Sequence, residues 1–332
     1  MSALDAALER LARTGPEWED GLSNHGPMAA EALVRLGFGD AVEGWVSGYL
    51  PRLDGAPRPS DRIGDWRAAL GDLRRAGDWN AYFADRLASA PWREVLALWW
   101  PRLVPGMAAG ATHGVIRTAH AVRAVAAHET PARLGELARA LAYWAAAYVE
   151  LPGRPVTLGS RPLAEAVAAL PVYEGERASR ITATLGRLTP DFAAAVTELR
   201  PPADGLAAFH ELSRTFAVVF LERGRVNTIE YVHAVTAPVA VTSILGELPR
   251  PLWGPTYAAL WQVCAAIHSG YALGTTVSPL VESPANPVDL AERAVANGDE
   301  HAIKLTEACL RSFDATADPV FLRTAELGLT LV

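Results

Sequence analysis

The stretch TPARLGELARALAYWAAAY, residues 130–148, carries the clearest structural signal in the chain. It begins with Thr130 and Pro131, a common helix start because the hydroxyl caps the first turn and proline suits the first helical position. Leucine or alanine then recurs at residues 134, 137, 138, 141 and 145, which is the spacing of a buried helix face. We therefore predict a helix that runs through Tyr148.

Similar helical signals extend across the rest of the chain. Ser2 and Asp5 form a capping box for a first helix that Gly15 ends, and the sequences at 189–191 and 286–289 repeat the start signal. The apolar runs 216–221 and 239–244 could be strands, but helical patterning flanks both, so we interpret them as buried helix. The fold is predicted to be all-α, a single large helical domain over residues 1–332 that could comprise two helical subdomains.

Composition excludes several classes of partner. The chain has 332 residues, of which 50% are hydrophobic and 20% charged, as in a globular protein. Its net charge of −7 argues against nucleic acid or anionic lipid, because both require a basic surface. The most apolar long window, 137–151, contains Arg139 and Glu150, so no membrane span is predicted. The presence of only two cysteines favours a reducing cytoplasm, and the ten tryptophans are consistent with a homodimer.

A single lysine, Lys304, stands among 29 arginines. Unlike guanidinium, a lysine amine can lose its proton, form a Schiff base or be carboxylated by carbon dioxide. The alternative is that Lys304 survives by drift on an exposed helix. His301 precedes it by three residues, so both side chains would share one helix face. A histidine beside a lysine carbamate could bind a divalent cation.

Further histidines lie in unusual local sequence contexts. His25 precedes Gly-Pro and therefore lies at a rigid turn, before a helix that begins near Ala29. His113 and His120 lie two helical turns apart on one face, too far to bind one metal together, so at most one of them is a ligand. Arg117 lies between them, and we predict that it holds an anionic group near the metal pocket or forms a surface ion pair.

Other motifs exclude other chemistries. Glu230 and His233 have the Glu-x-x-His spacing of di-iron bundles, but such bundles need two of these motifs and the sequence has one. The sequence contains no P-loop, no Gly-x-Gly-x-x-Gly after a strand, no Gly-x-Ser-x-Gly and no His-Glu-x-x-His. A nucleotide-binding or flavin domain is therefore not predicted.

Four segments together resemble the questin oxidase-like family. They are SNHGPM (23–28), THGVIR (112–117), VHAVT (232–236) and HAIK (301–304), and WWPRL (99–103) also fits. Characterised relatives are fungal enzymes of aromatic polyketide pathways that open an anthraquinone ring with molecular oxygen. At least some use a mononuclear non-haem iron held by four histidines and a carboxylated lysine. The resemblance runs from about residue 20 to the C-terminus and implies an Fe(II) site formed by His25, His113, His233, His301 and a carboxylated Lys304.

The resemblance also implies an activity. We expect a mononuclear non-haem iron oxygenase that uses O2 for oxidative ring opening of an aromatic polyketide such as an anthraquinone, by C–C cleavage or a Baeyer–Villiger-type insertion. Its partners would be O2 and a small aromatic substrate. The exact substrate, the choice between mono- and dioxygenase, and the need for an external reductant stay open. A metal-dependent hydrolase with a carboxylated lysine and a non-catalytic helical binding protein are the alternatives.

Several finer assignments follow from this expectation. Arg117 and His120 are the candidate catalytic residues, and His120 or His268 could replace one of the named ligands. Pro238, where relatives often have small residues and a further histidine, is expected to perturb the helix after His233. Substrate-covering insertions of the longer fungal enzymes are expected to be missing. Three tryptophans could line a flat aromatic pocket or pack in the core: Trp99, Trp100 and Trp144.

Overall fold

Helices make up nearly all the regular structure of a computed structural model that describes residues 2–19, 21–203, 205–274 and 286–332. The first eight are α1 (Ala3–Leu11), α2 (Gly26–Arg35), α3 (Val42–Tyr49), α4 (Trp66–Ala69), α5 (Ala76–Ser89), α6 (Trp92–Leu103), α7 (His113–Ala127) and α8 (Pro131–Ala146). The remaining nine are α9 (Leu163–Ala168), α10 (Ile181–Leu185), α11 (Pro190–Ala195), α12 (Leu206–Arg223), α13 (Thr228–Thr242), α14 (Trp253–Tyr271), α15 (Pro287–Asn297), α16 (Glu300–Thr316) and α17 (Val320–Leu331).

One small sheet interrupts the helices. Its strands, β1 (Glu17–Trp18) and β2 (Leu22–Ser23), pair antiparallel, with Glu17 opposite Ser23 and Trp18 opposite Leu22. Within the described ranges no helix is both long and apolar enough to cross a membrane. The prediction of an all-α single domain is confirmed.

Three of the four predicted caps form, at Ser2, Thr130 and Asn286, whereas Thr189 precedes α11 without a side-chain cap. Two helices end earlier than expected. The Thr130 hydroxyl accepts a hydrogen bond from the Arg133 N–H at 3.3 Å, and α8 ends at Ala146 rather than at residue 148. The Ser2 hydroxyl caps α1, which ends at Leu11, four residues before Gly15. The apolar run 216–221 lies within α12, and the run 239–244 lies within α13 as far as Thr242, where that helix ends, so the interpretation as helix rather than strand is confirmed.

Four helices form a closed ring at the centre of the fold. Helix α2 packs against α7, α7 against α13, α13 against α16, and α16 against α2. The other helices pack outside this ring: α1 and α3 against α2, α8 against α7, α12 and α14 against α13, and α15 and α17 against α16. Close packing against these helices restricts the movement of the ring's side chains.

The three tryptophans considered for an aromatic pocket pack in the hydrophobic core instead. All three are fully buried; Trp99 contacts Trp79 and Phe83 edge to face, and Trp100 contacts Trp144 in the same way. The Trp100 indole N–H donates to the Thr256 hydroxyl at 2.8 Å, so its polar atom is satisfied inside the core. Their burial leaves no face for a substrate.

Pro238 lies in the interior of α13 without ending the helix. Proline has no N–H, so it leaves the carbonyl of Ala234, four residues earlier, without its helical donor. The thiol of Cys264, on the neighbouring α14, donates to that carbonyl at a sulfur–oxygen distance of 3.4 Å. This neighbouring donor compensates the lost hydrogen bond, which explains why the expected perturbation after His233 does not break the helix.

Candidate metal centre

Each helix of the central ring contributes one histidine to a buried cluster. His25 caps α2, His113 is the first residue of α7, His233 lies within α13, and His301 is the second residue of α16. The ring centroid of His25 lies 4.4 Å from that of His113 and 4.5 Å from that of His301. The ring centroids of His113 and His233 are 4.5 Å apart. Four residues spread over the whole sequence therefore meet at one point.

His25 is fixed by its turn. The Asn24 side-chain oxygen accepts the Gly26 N–H at 2.9 Å, which closes the turn that the Gly-Pro sequence predicted. The backbone N–H of His25 donates to the hydroxyl of Tyr49 on α3 at 3.0 Å. Both contacts hold the His25 backbone while leaving its ring free to face the cluster.

A strained turn sets the position of His113. Gly110, Ala111 and Thr112 all have left-handed backbones, with φ of 55°, 55° and 74°, and α7 starts directly after them. Such backbones are costly for residues other than glycine and are concentrated at functional sites. A side chain at Gly110 would collide with the Tyr143 hydroxyl, so this position requires glycine. The Gly110 carbonyl accepts a hydrogen bond from Nδ1 of His113, which leaves Nε2 as the free ring nitrogen.

His301 is oriented by the residue that caps its helix. The Asp299 carboxylate accepts the backbone N–H of His301 at 2.7 Å and also contacts the His301 Nδ1 at 3.2 Å. Burial raises the pKa of Asp299, but the hydrogen bonds from His301 outweigh this effect and hold the pKa below its usual value. A carboxylate on Nδ1 directs Nε2 toward the cluster, the arrangement that commonly orients metal-binding histidines.

His233 completes the cluster from the middle of α13. Its Nε2 lies 3.1 Å from Nε2 of His113. Its Nδ1 is buried without a well-formed hydrogen bond, and the nearby Ile229 carbonyl favours the protonated ring. When both rings carry their proton on Nδ1, the two Nε2 lone pairs face each other and repel. A cation bound to both nitrogens would remove this repulsion.

The electrostatics of the cluster favour neutral imidazoles. Burial, together with neighbouring imidazoles and the Lys304 ammonium, holds the pKa of His25, His113 and His233 well below the usual histidine value. Neutral imidazole is the form that binds metal ions. The helix N-termini at His25 and His113 add positive partial charge, which opposes protonation of these two rings further.

Lys304 reaches the same point from α16. Its side chain is buried, and Nζ lies 3.1 Å from Nδ1 of His25. Burial lowers the pKa of Lys304 to about 8, although the carboxylates of Glu300 and Asp299 raise it in part. Among the described residues, no carboxylate forms a salt bridge with Nζ. A buried ammonium that faces imidazoles without an anionic partner is electrostatically unfavourable.

The geometry suits a single metal ion. His25, His113 and His301 each offer a ring nitrogen, and these atoms lie within 4.8 Å of one another, so the three residues could hold a metal ion. Ligands about 2.1 Å from one ion lie about 3 Å apart at right angles and about 4.2 Å apart across it. The 3.1 Å separation of the His113 and His233 Nε2 atoms fits the first of these distances.

The other predicted site residues lie away from this cluster. Arg117 pairs with Glu136 of α8 through contacts of 2.6 and 3.1 Å, and both side chains are buried, so the ion pair is internal rather than on the surface. His268 contacts the Tyr231 hydroxyl at 3.3 Å, and burial lowers the pKa of His268 to about 4. Of the two histidines two turns apart on α7, His113 is in the cluster and His120 is not.

His120 belongs to a buried charge network. Its Nδ1 lies 2.8 Å from the Glu31 carboxylate of α2, which also binds Arg123 of α7. Arg123 in turn donates to Glu307 of α16 at 2.7 Å, and Arg311 binds the same carboxylate. This network, Glu31–His120–Arg123–Glu307–Arg311, links three of the helices that carry the cluster.

Sequence analysis missed Asp299, Tyr49 and the charge network. Asp299 carried a usable signal, since an aspartate two residues before a histidine at a helix start can cap the helix and bind the ring at once. Tyr49 and the network carried none, because their partners lie on other helices. Compared with known proteins, the chain matches no family model and no curated protein. The family resemblance therefore stays a prediction.

Proposed function

We propose that this protein is a mononuclear non-haem iron oxygenase that opens the ring of an aromatic polyketide, such as an anthraquinone, with O2. The observation that carries the proposal is the convergence of four imidazoles and the only lysine at one buried point. His25, His113, His233 and His301 would hold the ion through ring nitrogens. Fe(II), when bound, would supply the binding and reduction of O2.

Lys304 would complete the donor set as a carbamate. The neutral amine attacks CO2, the Nζ–C bond forms, and one proton leaves, so that the ammonium is replaced by an anionic oxygen donor. A donor set of imidazoles and an anionic oxygen suits Fe(II), and also accepts Mn, Ni or Zn. His25, His113, His233, His301 and the carbamate would together hold the ion, which would then bind O2 or substrate.

The chain's own residues would prepare the reaction in two ways. Asp299 and the Gly110 carbonyl fix the His301 and His113 rings, so that the ligands do not reorganise when the ion binds. The cluster is largely closed from water, and His301 is its partly exposed member. The aromatic substrate would therefore approach the ion from the His301 side.

Two redox outcomes fit this arrangement. A dioxygenase places both oxygen atoms in the product and needs no further electrons. Insertion of one oxygen atom beside a ring carbonyl reduces the other to water, which requires two electrons and two protons from an external reductant. Labelling with ¹⁸O2 separates them, since the product gains two labelled atoms in the first case and one in the second.

The decisive experiment combines metal analysis with oxygen uptake. Protein purified without oxygen is loaded with Fe(II) and tested against a panel of hydroxyanthraquinones, with and without ascorbate, and the His268→Ala variant serves as a control outside the cluster. We expect about one iron per chain and substrate-dependent O2 consumption. Hydrolysis of ester or amide substrates without O2 consumption would instead support the hydrolase, and the absence of metal binding would contradict both enzymes.

A further inference from the structure

A cavity lies at the opposite end of the central ring from the histidine cluster. It has a volume of about 520 Å³ and opens between the C-terminal parts of α7, α13 and α16 and the start of α12. This volume is in the range that holds a small organic molecule. The proposed reaction does not involve this cavity.

The cavity is separated from the metal centre. Val239 on its wall follows His233 by six residues on α13, and Arg311 follows Lys304 by seven on α16, distances of about 9 and 10 Å along each helix. The charge network that contains Glu31 and Glu307 lies between the two. A molecule in the cavity therefore cannot contact an ion held by the histidines, so it is not the substrate in its reacting position.

Its polar end carries excess positive charge. Arg35, Arg123 and Arg311 line it, and among the residues that the structure describes they share two carboxylates, Glu31 and Glu307. Three cations against two anions leave one positive charge. Although burial raises the pKa of Glu31, Arg123 and His120 bring it down to about 2, so the anion count holds at neutral pH.

Glu247 and His120 leave this balance unchanged. Glu247, also on the cavity wall, is paired with Arg93 at 2.8 Å. Burial and Arg123 hold the pKa of His120 below its usual value, so this ring is neutral at pH 7.

The accessible donor of the cavity lies on Arg35. This side chain is 42% exposed and uses Nε and Nη2 in hydrogen bonds within the protein, whereas its Nη1 forms none with the described residues. The Nε of Arg123 also has no acceptor, but it is buried and out of reach of a ligand. Three hydroxyls on the wall already donate within the protein: Ser213 to the Phe209 carbonyl at 2.9 Å, Thr242 to the Pro238 carbonyl at 2.6 Å and Ser243 to the Ala240 carbonyl at 2.6 Å. Apolar side chains form much of the remaining wall: Leu206, Val239, Ile244 and Ala315.

We infer that this cavity binds a small molecule with an apolar body and a single carboxylate, with Arg35 as the principal contact. A planar guanidinium matches a carboxylate in shape and charge. The single negative charge of a carboxylate neutralises the one excess positive charge of the arginines. A phosphate monoester, with nearly two negative charges, would overcompensate it. This inference goes beyond the proposed oxygenase function and does not depend on it.

Calorimetric titration of the full chain tests the inference. The probes are 2-naphthoate, its uncharged analogue 2-naphthamide and 2-naphthyl phosphate. We expect 2-naphthoate to bind about tenfold or more tightly than the amide, because a charge-assisted hydrogen bond contributes that much or more. The phosphate should bind no more tightly than the carboxylate.

Two variants locate the binding. Arg35→Met keeps the apolar stem and should bring the affinities for naphthoate and the amide together, whereas Arg86→Met, which removes an arginine from α5, should leave them apart. Ala315→Trp fills the cavity from an exposed helix position and should abolish binding of both. Absence of naphthoate binding up to about 1 mM, or binding unchanged in Arg35→Met and Ala315→Trp, would overturn the inference. Tighter binding of the phosphate would overturn the assignment of a carboxylate.

Discussion

The Nζ of Lys304 lies 3.1 Å from Nδ1 of His25, although 279 positions separate the two residues in the chain. Both residues are buried, and among the residues that the structure describes no carboxylate forms a salt bridge with the ammonium. A carbamate at Lys304 would replace this unfavourable cation by an anion. The lysine thus provides the sharpest test of the proposed metal site.

Lys304→Arg should lose both metal and oxygenase activity, although it keeps the positive charge, because guanidinium cannot be carboxylated. Lys304→Ala should do the same, and Lys304→Glu should recover weak metal binding through its shorter carboxylate. Metal content by mass spectrometry and a carbamate signal after incubation with ¹³C-bicarbonate are the measurements. Full activity of the arginine variant, or a bare amine in a metal-loaded crystal, would contradict the proposal.

Replacing any one of the four clustered histidines by alanine should remove most of the bound iron. The expected stoichiometry of the unmodified protein is about one iron per chain, and the loss should be similar for His25, His113, His233 and His301. His268→Ala is the matched control, since it truncates a half-buried histidine outside the cluster. Loss of metal in the control but not in His113→Ala would show that the ligand set is wrong.

Asp299→Ser separates helix capping from ring orientation. Serine also caps helices well, so the free energy of unfolding should change by less than about 1 kcal/mol. The carboxylate contact to the His301 ring is lost, and metal affinity should therefore fall by about 10- to 100-fold. Competition with a calibrated chelator measures the affinity. An affinity equal to that of the unmodified protein would remove Asp299 from the site.

Arg117→Met tests whether this arginine serves structure or substrate. Breaking its buried pair with Glu136 should cost about 3–5 kcal/mol of unfolding free energy, because Glu136 loses its closest counterion. The double variant Arg117→Met/Glu136→Met should recover much of that stability. Metal binding and turnover in the double variant then decide the role. Turnover lost in a stable double variant would favour the predicted contact with an anionic substrate.

Acid should weaken the fold through Asp78, far from the metal centre. Burial raises the pKa of Asp78. The Asp78 carboxylate accepts hydrogen bonds from the Asp61 and Ser60 N–H groups and from Arg75, and these bring its pKa down to about 2. Since this value lies below that of the unfolded chain, the stabilisation is complete above about pH 4 and is lost as the pH falls through 2.

Asp78→Ala should therefore cost about 2–3 kcal/mol at pH 7, and the difference from the unmodified protein should shrink toward pH 2. Urea denaturation at several pH values measures both effects. Asp85→Ala, an exposed aspartate on the same helix, should show little change at any pH. A pH-independent difference for Asp78→Ala would mean that its charge is not what stabilises the fold.

The sequence predicted the helices because their signals are local. Thr130 with Pro131 and the periodic leucines act within one element, and the same is true of the Gly-Pro turn that holds His25. The single lysine and the histidine one turn before it were also recognisable, since i and i+3 side chains share a helix face. Their meeting with His113 and His233 was implied only by the family resemblance.

Long-range partners could not be predicted in this way. The pairing of Arg117 with Glu136 and of Arg123 with Glu31 and Glu307 depends on how helices pack, which no local pattern encodes. The same holds for the tryptophans: Trp99 is as apolar in a pocket as in a core, and only its contacts with Trp79 and Phe83 decide between the two.

The distribution of the cluster over four helices has a consequence for biosynthesis. At about 5–20 residues per second, roughly 15 to 55 seconds pass between the translation of His25 and that of Lys304. During that interval the growing chain holds at most part of the histidine cluster. If the proposed function is right, metal capture would be confined to chains in which α16 has been made and docked, so that redox-active iron would be acquired only after the surrounding helices are in place to enclose it.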